Sequence, residues 1–171
     1  MIVLITGASH TGKTTLAEHL LEKYKYPYLS YWLLEMGMSR TDYKKLTSED
    51  DDQLTNCLWP IVWEMIKTAI ENKQNLIVEG WYIPFDWQNY FDEKYLEQIK
   101  YYCLVISKKY IENNFANIKK YANKIENRLD DNCSIEDILE DNTHYLQMAK
   151  KYGLNYVLIN EQYKIEIDLD D

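Results

Sequence analysis

The sequence has few cysteines, and no two of them lie close together. Its 171 residues include three, Cys57, Cys103 and Cys133, without a C-x-x-C pair among them. Cys57 and Cys103 stand in apolar stretches, which is typical of core thiols. The cysteine spacing therefore indicates no redox or metal motif.

The sequence also lacks a long apolar run and a basic leader. No apolar stretch reaches the length that a membrane-spanning helix needs. The apolar residues at the start of the sequence suit a first β-strand rather than a signal peptide, because no basic segment precedes them. We therefore expect a cytoplasmic protein without a membrane partner.

Positive charge is scarce. The 19 Lys and Arg residues face 28 Asp and Glu residues, the formal net charge is −9, and only Arg40 and Arg128 are arginines. Proteins that bind the phosphate backbone of nucleic acids usually carry a basic face. Nucleic acid is therefore not an expected partner.

Apolar and aromatic side chains are plentiful. The chain is 46% hydrophobic and 14% aromatic, with 16 Tyr and 5 Trp. Such a composition argues against disorder, and this length suits one domain with a sizeable core. With no internal repeat and no linker in the sequence, we expect a single domain over residues 1–171.

One short stretch carries a specific chemical signal. An apolar run ending at Thr6 is followed by Gly7, and Gly12-Lys13-Thr14 then opens an amphipathic segment. This fits G-x-x-x-x-G-K-[ST], the P-loop or Walker A motif, between a strand and a helix. Backbone N–H groups of such a loop surround a polyphosphate, the lysine reaches its β- and γ-phosphates, and the hydroxyl residue ligates Mg²⁺. The residues that we expect to bind ATP are Gly7, Ala8, Ser9, His10, Thr11, Gly12, Lys13, Thr14 and Thr15.

Hydrophobic periodicity predicts strands that alternate with helices. Helical spacing marks residues 14–24, 54–69, 111–129 and 134–152, and Pro60 predicts a kink or a break in the second of these. Alternation between 163 and 169 predicts an additional exposed edge strand. The predicted buried strands are 2–6, 27–30, 75–80, 100–106 and 154–159. This order implies βαβ units and a mostly parallel sheet.

The P-loop at residues 7–15, the strand ending Ile77-Val78-Glu79-Gly80, and the helical pair after the fourth strand resemble the small P-loop kinases, such as adenylate kinase and shikimate kinase. The resemblance implies an α/β, three-layer P-loop NTPase fold with a five-stranded sheet in the order 2-3-1-4-5. It also implies an acceptor-binding region at about 31–60, a helical lid at about 108–135, and ATP and Mg²⁺ as cofactors.

Glu79 is the candidate for the carboxylate of the site. It ends an apolar strand, and in open α/β sheets ligands bind beyond the carboxyl ends of the strands. Beside the P-loop it would order the Mg²⁺ shell together with Thr14, or accept a proton from an acceptor hydroxyl. The alternative is a strand-end carboxylate that meets water or a lysine.

The two arginines and several aromatic residues are further candidates. Arg40 falls in the acceptor region implied by the resemblance, and Arg128 falls in the lid, where Lys120, Lys124 and Arg128 form a basic stripe. Guanidinium groups suit phosphate, although both arginines also suit surface ion pairs. The aromatic candidates for an acceptor pocket, which would otherwise be core residues, are Trp32, Trp81, Tyr82 and Trp87.

The expected function is transfer of the γ-phosphoryl group of ATP to a small molecule, with Lys13, Glu79 and Arg128 catalytic and Arg40, Trp81 and Tyr82 contacting the acceptor. A hydroxyl metabolite or nucleoside is favoured, since a nucleoside monophosphate needs cationic clamps and a hydroxyl needs a base. The alternatives are an adenylate-type nucleoside monophosphate kinase and a nucleotide-binding switch. The protein is expected to be a monomer or a homodimer.

Overall fold

The computed structural model describes residues 1–41, 51–122 and 132–170. None of the helices in these three ranges is both long enough and apolar enough to cross a bilayer. The strands are β1 (Ile2–Gly7), β2 (Tyr28–Ser30), β3 (Leu76–Glu79), β4 (Ile99–Ile106) and β5 (Tyr156–Ile159). The helices are α1 (Lys13–Tyr24), α2 (Tyr31–Ser39), α3 (Asp51–Glu71), α4 (Glu93–Leu96), α5 (Lys108–Ala122) and α6 (Ile135–Lys151).

The five strands form one sheet in the order β2-β3-β1-β4-β5, and every pairing is parallel. β1 lies at the centre, with Ile5 beside Glu79 on β3 and Gly7 beside Leu104 on β4. The carboxyl ends of these strands therefore meet at one edge, directly beyond the central strand. Both the parallel sheet and its predicted strand order are confirmed.

The sheet has a core on each face because neighbouring residues of a strand point to opposite sides. Ile2 and Leu4 of β1 pack towards α3 and α6, whereas Val3 and Ile5 pack towards α1. All four side chains are fully buried. The central strand is consequently covered on both faces, as an all-parallel sheet requires.

The predicted edge strand at 163–169 is wrong. This segment forms no strand, and residues 160–170, here called the strap, instead run along the α1 face of the sheet. Leu169 is buried there, and the Tyr24 hydroxyl donates to Asp168 Oδ1 at 2.7 Å. The alternation did indicate an extended segment, but its apolar side covers an existing face of the sheet and adds no strand.

Helix α3 corrects two further expectations. Residues 51–71 form one helix through Pro60, so of the two predicted alternatives, a kink or a break, the break is wrong. Cys57, on the same helix, is exposed rather than buried, while Cys103 on β4 is a core thiol as expected. The apolar stretch around Cys57 is one face of an amphipathic helix, and the cysteine lies outside that face.

Candidate functional site

The P-loop turns sharply between β1 and α1. Gly12 caps the helix in the left-handed region, at φ 80° and ψ 31°, and His10 has a φ of 63°. A Cβ on Gly7 would lie 2.2 Å from the Leu104 carbonyl oxygen of the neighbouring strand. Both motif glycines therefore hold positions that a side chain would strain or block.

The Lys13 side chain folds back over this loop. Its Nζ donates to the carbonyl oxygens of Gly7 at 3.1 Å and Ala8 at 3.0 Å, and the residue is only 8% exposed. The ammonium group also lies 5.8 Å from the centre of the Trp81 ring. The loop thus holds a fixed positive charge at the carboxyl edge of the sheet.

Glu79 lies at the same edge. It ends β3, pairs in register with Ile5 on one side and Ser30 on the other, and is 2% exposed. Glu79, Lys13 and Thr14 line one cavity of about 590 Å³. The structure therefore brings together the predicted phosphate-binding lysine, the predicted metal-binding hydroxyl and the predicted carboxylate.

This cavity has two sides, which follow from the strand order. α5 follows β4 and α2 follows β2, so these helices approach the P-loop from opposite directions. One part of the lining, which we name the nucleotide side after the function proposed below, consists of His10, Gly12, Lys13, Thr14, Thr15, Ile106, Tyr110, Asn117, Ile118, Tyr121 and Tyr163. The other part, which we name the acceptor side after the same proposal, consists of Tyr31, Trp32, Glu35, Gly80, Trp81 and Tyr82. Glu79 stands between them.

Tyr31, Trp32, Trp81 and Tyr82 form an aromatic wall on the acceptor side of the cavity. A Cβ on Gly80 would lie 2.4 Å from Cβ of Tyr31, so only glycine permits this approach of α2 to the end of β3. The Tyr145 hydroxyl on α6 donates to the Trp81 carbonyl oxygen at 3.1 Å. The Tyr31 and Tyr82 ring centres are 6.3 Å apart. The wall is therefore fixed by contacts with α2 and α6.

The other residues predicted for the site do not all line the cavity. Trp32, Trp81 and Tyr82 line the cavity, and their predicted contact with an acceptor stays a prediction. Trp87 does not line it, because it is buried in the core and stacks on Tyr101 with ring centres 5.4 Å apart. Arg40 caps the end of α2, is exposed, and is absent from the described lining of the cavity.

Part of the predicted lid falls beyond what the structure describes. Lys124 and Arg128 of the basic stripe lie outside the described residues. The described parts of the predicted lid are α5 and the start of α6, and α5 contributes Tyr110, Asn117, Ile118 and Tyr121 to the cavity.

Tyr163 is a site residue that the sequence did not reveal. Its hydroxyl donates to the Thr11 carbonyl oxygen at 2.9 Å, and a Cβ on Gly12 would lie 1.6 Å from that hydroxyl oxygen. Thr11 in turn donates its own hydroxyl to the Ala8 carbonyl at 2.8 Å. The strap therefore holds the P-loop from outside the motif, in a segment whose alternating pattern suggested only an edge strand.

Burial shapes the titration of groups around the loop. It raises the pKa of the Tyr31 phenol well above its usual range, and it raises the pKa of the Cys103 thiol to about 12. Burial also raises the pKa of the Asp141 carboxyl on α6, an effect that the nearby Lys13 charge opposes. Tyr31 and Cys103 are accordingly neutral at physiological pH.

The donors present suit a polyphosphate with Mg²⁺. Gly7 and Gly12 allow a close approach of the loop to Leu104 and Tyr163 that a Cβ would block, and Lys13 supplies a buried positive charge within the loop. Thr14 and Glu79 add hydroxyl and carboxylate oxygens, the ligands that Mg²⁺ prefers alongside phosphate oxygens and water. Among the described residues, no group of three or more His, Cys, Asp or Glu side chains is placed to hold a metal ion by itself.

Comparison with known proteins gives a likeness in fold. Neither protein-family models nor curated protein sequences match the chain. Among solved structures, shikimate kinase from Bacteroides thetaiotaomicron matches with a TM-score of 0.54 and 14% identity, over 97% of this chain and 89% of the other. Deoxyadenosine kinase from M. mycoides matches with a TM-score of 0.54 and 15% identity, over 97% and 92%. The chain therefore has the fold of the small P-loop kinases.

Proposed function

We propose that this protein is an ATP- and Mg²⁺-dependent kinase that transfers the γ-phosphoryl group to a hydroxyl of a small molecule. One observation carries the proposal: Lys13 and Glu79, both nearly buried, line a single cavity whose other side is an aromatic wall. The fold, shared with shikimate kinase and deoxyadenosine kinase, supports the same reaction class.

In this proposal the P-loop backbone and Lys13 bind the triphosphate, and Lys13 stabilises charge on the transferred group. Thr14 and Glu79 are the residues that would hold Mg²⁺, which when bound neutralises phosphate charge. Glu79 orders that ion or accepts the proton of the attacking hydroxyl. Arg128, which lies outside the described residues, is proposed to act from the lid.

A hydroxyl acceptor is favoured over a nucleoside monophosphate. A dianionic acceptor phosphate needs several cationic groups around it, and among the described residues that line the cavity Lys13 is the one Lys or Arg. The aromatic wall suits an acceptor with apolar surface, held by few polar contacts.

The test is phosphoryl transfer by the purified protein. ATP and Mg²⁺ are supplied with a panel of hydroxyl and phosphate acceptors, and the phosphorylated product is identified by mass. Lys13→Ala should abolish transfer, while the exposed Lys150→Ala on α6 should leave it unchanged. Both variants should retain the native circular dichroism spectrum.

A nucleotide-binding switch gives the contrary result. Such a protein would bind ATP through the same loop but transfer no phosphoryl group to any acceptor in the panel. Near-normal transfer by Lys13→Ala would equally contradict the proposed role of the P-loop.

A further inference from the structure

A second cavity, here called the α3 groove, lies at the edge of the sheet opposite the P-loop. It has a volume of about 940 Å³ and is bordered by α3 and by the segments that lead into β2 and β3. These segments mark the amino ends of the parallel strands, whereas the candidate site lies at their carboxyl ends. The two cavities share no described lining residue. The α3 groove is therefore separate from the site of the proposed reaction.

The surface beside this groove is apolar and open to solvent. Ile61 and Met65 lie four residues apart on α3 and are 45% and 41% exposed. Cys57, one turn earlier on the same side of the helix, is exposed as well. These three residues form a ridge, here called the α3 ridge, and Ile61 and Met65 also line the groove. The other apolar lining residues are Pro27, Pro60, Ala69 and Leu76.

The described lining of the groove carries one charge of each sign. Lys25, which caps the end of α1, lies on one wall, and Glu64 of α3 lies on the other. Glu64 Oε1 accepts hydrogen bonds from Lys67 Nζ and Trp63 Nε1, while Glu64 Oε2 accepts none from a described residue. Lys25 Nζ donates one hydrogen bond, to the Glu22 carbonyl oxygen, and an ammonium group has three donors. Both groups can therefore take a further partner of opposite charge.

This combination fits a second copy of the same chain. A contact across a two-fold axis uses the same patch on both copies, so the patch must be complementary to itself. This face presents a ridge together with a groove, and a positive charge together with a negative one. A chain with a net charge of −9 repels its own copies, but the described lining of this groove has no net charge and adds nothing to that repulsion.

We propose that the protein forms a two-fold symmetric dimer through this face. The α3 ridge of each copy lies in the α3 groove of the other, and Lys25 of each copy pairs with Glu64 of the other. Burial of Ile61 and Met65 stabilises the dimer, whereas the exposed ion pairs contribute little and fix its orientation. Because the groove lies at the opposite edge of the sheet, association leaves the P-loop cavity open. The dimer does not depend on the kinase function.

Sedimentation velocity of the intact protein tests the dimer. It is run from about 0.1 to 100 µM, which includes the weak end of the affinity range for specific interfaces. A species with the mass of two chains should predominate at the upper end. Ile61→Glu and Met65→Glu should each raise the dissociation constant about 30-fold or more, the scale of a lost hot-spot residue. Both positions are exposed, so the circular dichroism spectrum should stay native. A monomer at every concentration would overturn the proposal.

Leu158→Glu is the matched control. Leu158 on β5 is 45% exposed, as Ile61 is, but its strand forms the other side edge of the sheet. The change should leave the dissociation constant as it is. A dimer that Leu158→Glu dissociates and Ile61→Glu does not would be a β5 dimer, and a dimer that neither change affects would use another face. Either result contradicts the proposal. Phosphoryl transfer should be unaltered in all three variants, so failure of the dimer and failure of the proposed function are separate results.

Exchange of the two charges tests the orientation. Lys25→Glu and Glu64→Lys each place like charges opposite one another, so each should weaken the dimer about three- to fivefold, the scale of an exposed ion pair. The double variant restores opposite charges and should recover most of the affinity. If the two losses simply add in the double variant, Lys25 and Glu64 do not face each other and the proposed arrangement is wrong.

The exposed thiol of Cys57 provides a measurement on the unaltered protein. Its alkylation by iodoacetamide, followed by mass spectrometry, should slow as the protein concentration rises through the dissociation constant, because the α3 ridge becomes covered. Cys133, which is half-buried just before α6, is the internal control and should react at a constant rate. A Cys57 rate that does not depend on concentration while the dimer forms would place the interface elsewhere.

Discussion

The two sides of the cavity are built from different parts of the protein. The nucleotide side depends on backbone: two glycines, two carbonyl groups that hold Lys13, and a loop held by Tyr163. The acceptor side depends on large side chains from α2 and from the segment after β3. A site built from backbone requires glycine at fixed positions, so it can be recognised in the sequence as a motif. A site built from large side chains shows in the sequence only as aromatic residues without fixed spacing.

Glu79 stands between the two sides, so its replacement should affect the reaction more than either binding step. Glu79→Gln should lower kcat about 10²-fold or more, the usual contribution of a general base, with little change in either KM. Steady-state kinetics with ATP and the acceptor varied in turn will measure this. A loss confined to the KM for one substrate would assign Glu79 to one side only. The control is Glu97→Gln, which changes an exposed carboxylate at the end of α4.

Gly12→Ala should disable the nucleotide side alone. Its positive φ strains any other residue, and the new Cβ would meet the Tyr163 hydroxyl. We expect ATP affinity to fall by roughly 30-fold or more, since a left-handed alanine costs about 1–2 kcal/mol before the clash is counted. Calorimetric titration with a non-hydrolysable ATP analogue measures it. Gly37→Ala on α2, where a Cβ meets no atom within 4 Å, is the control and should bind normally.

Trp81→Leu should weaken the acceptor side. The change removes aromatic surface from the wall, and we expect the acceptor KM to rise about tenfold, the scale of one stacking contact. The Trp81 ring also lies 5.8 Å from Lys13 Nζ, so its loss could disturb Lys13 as well. The KM for ATP is therefore measured as the control and should not change. An equal rise in both KM values would mean that the ring serves chiefly to position Lys13. Trp81 would then belong to both sides of the cavity and not to the acceptor side alone.

Tyr163→Phe should have a smaller effect, again on the nucleotide side. It removes the hydrogen bond to the Thr11 carbonyl and keeps the ring, so the ATP KM should rise about three- to tenfold with the acceptor KM unchanged. Tyr24→Phe removes two hydrogen bonds that attach the strap at a point distant from the loop: the one that the Tyr24 hydroxyl donates to Asp168 and the one that it accepts from the Leu169 N–H. If both variants change the ATP KM alike, Tyr163 acts through general attachment of the strap.

Ser134→Ala should change the KM for neither substrate, because Ser134 does not line the cavity. Ser134 caps α6 and forms a capping box with Asp137, whose carboxyl pKa is lowered because it accepts hydrogen bonds from Ser134. We expect a Tm about 2–5 °C lower at pH 7 and unaltered kinetics. Because the pKa of Asp137 is lower in the folded state than its ordinary value of 3.8, its carboxylate stabilises the fold at pH values above 3.8. This stabilisation is lost as the pH falls through the pKa of the folded state. The difference in Tm should therefore shrink in acid.

The sequence predicted the features that depend on local pattern. The P-loop, the strands around it and the end of β3 at Glu79 follow from a motif and from hydrophobic runs, and the strand order came from the resemblance to the small P-loop kinases. Trp81 and Tyr82 line the cavity because they directly follow β3 at the carboxyl edge of the sheet, and their contact with an acceptor stays a prediction.

Features that depend on distant contacts were missed. Trp87 follows the same strand but stacks on Tyr101 of β4, and only the packed structure decides between core and cavity. Pro60 did not break α3, since burial of Leu58, Trp59 and Val62 maintains the helix around it. Tyr163 reaches Thr11 from 152 residues away, and no local pattern can reveal such a contact.

The contact between Tyr163 and the P-loop also orders events during synthesis. The hydroxyl that holds the loop is added 152 residues after Thr11. At about 5–20 residues per second, that delay is roughly 8–30 s. A nascent chain therefore contains the complete P-loop motif well before the contact with Tyr163 can form. If the proposed function is correct, full ATP affinity arises only after the strap has been translated.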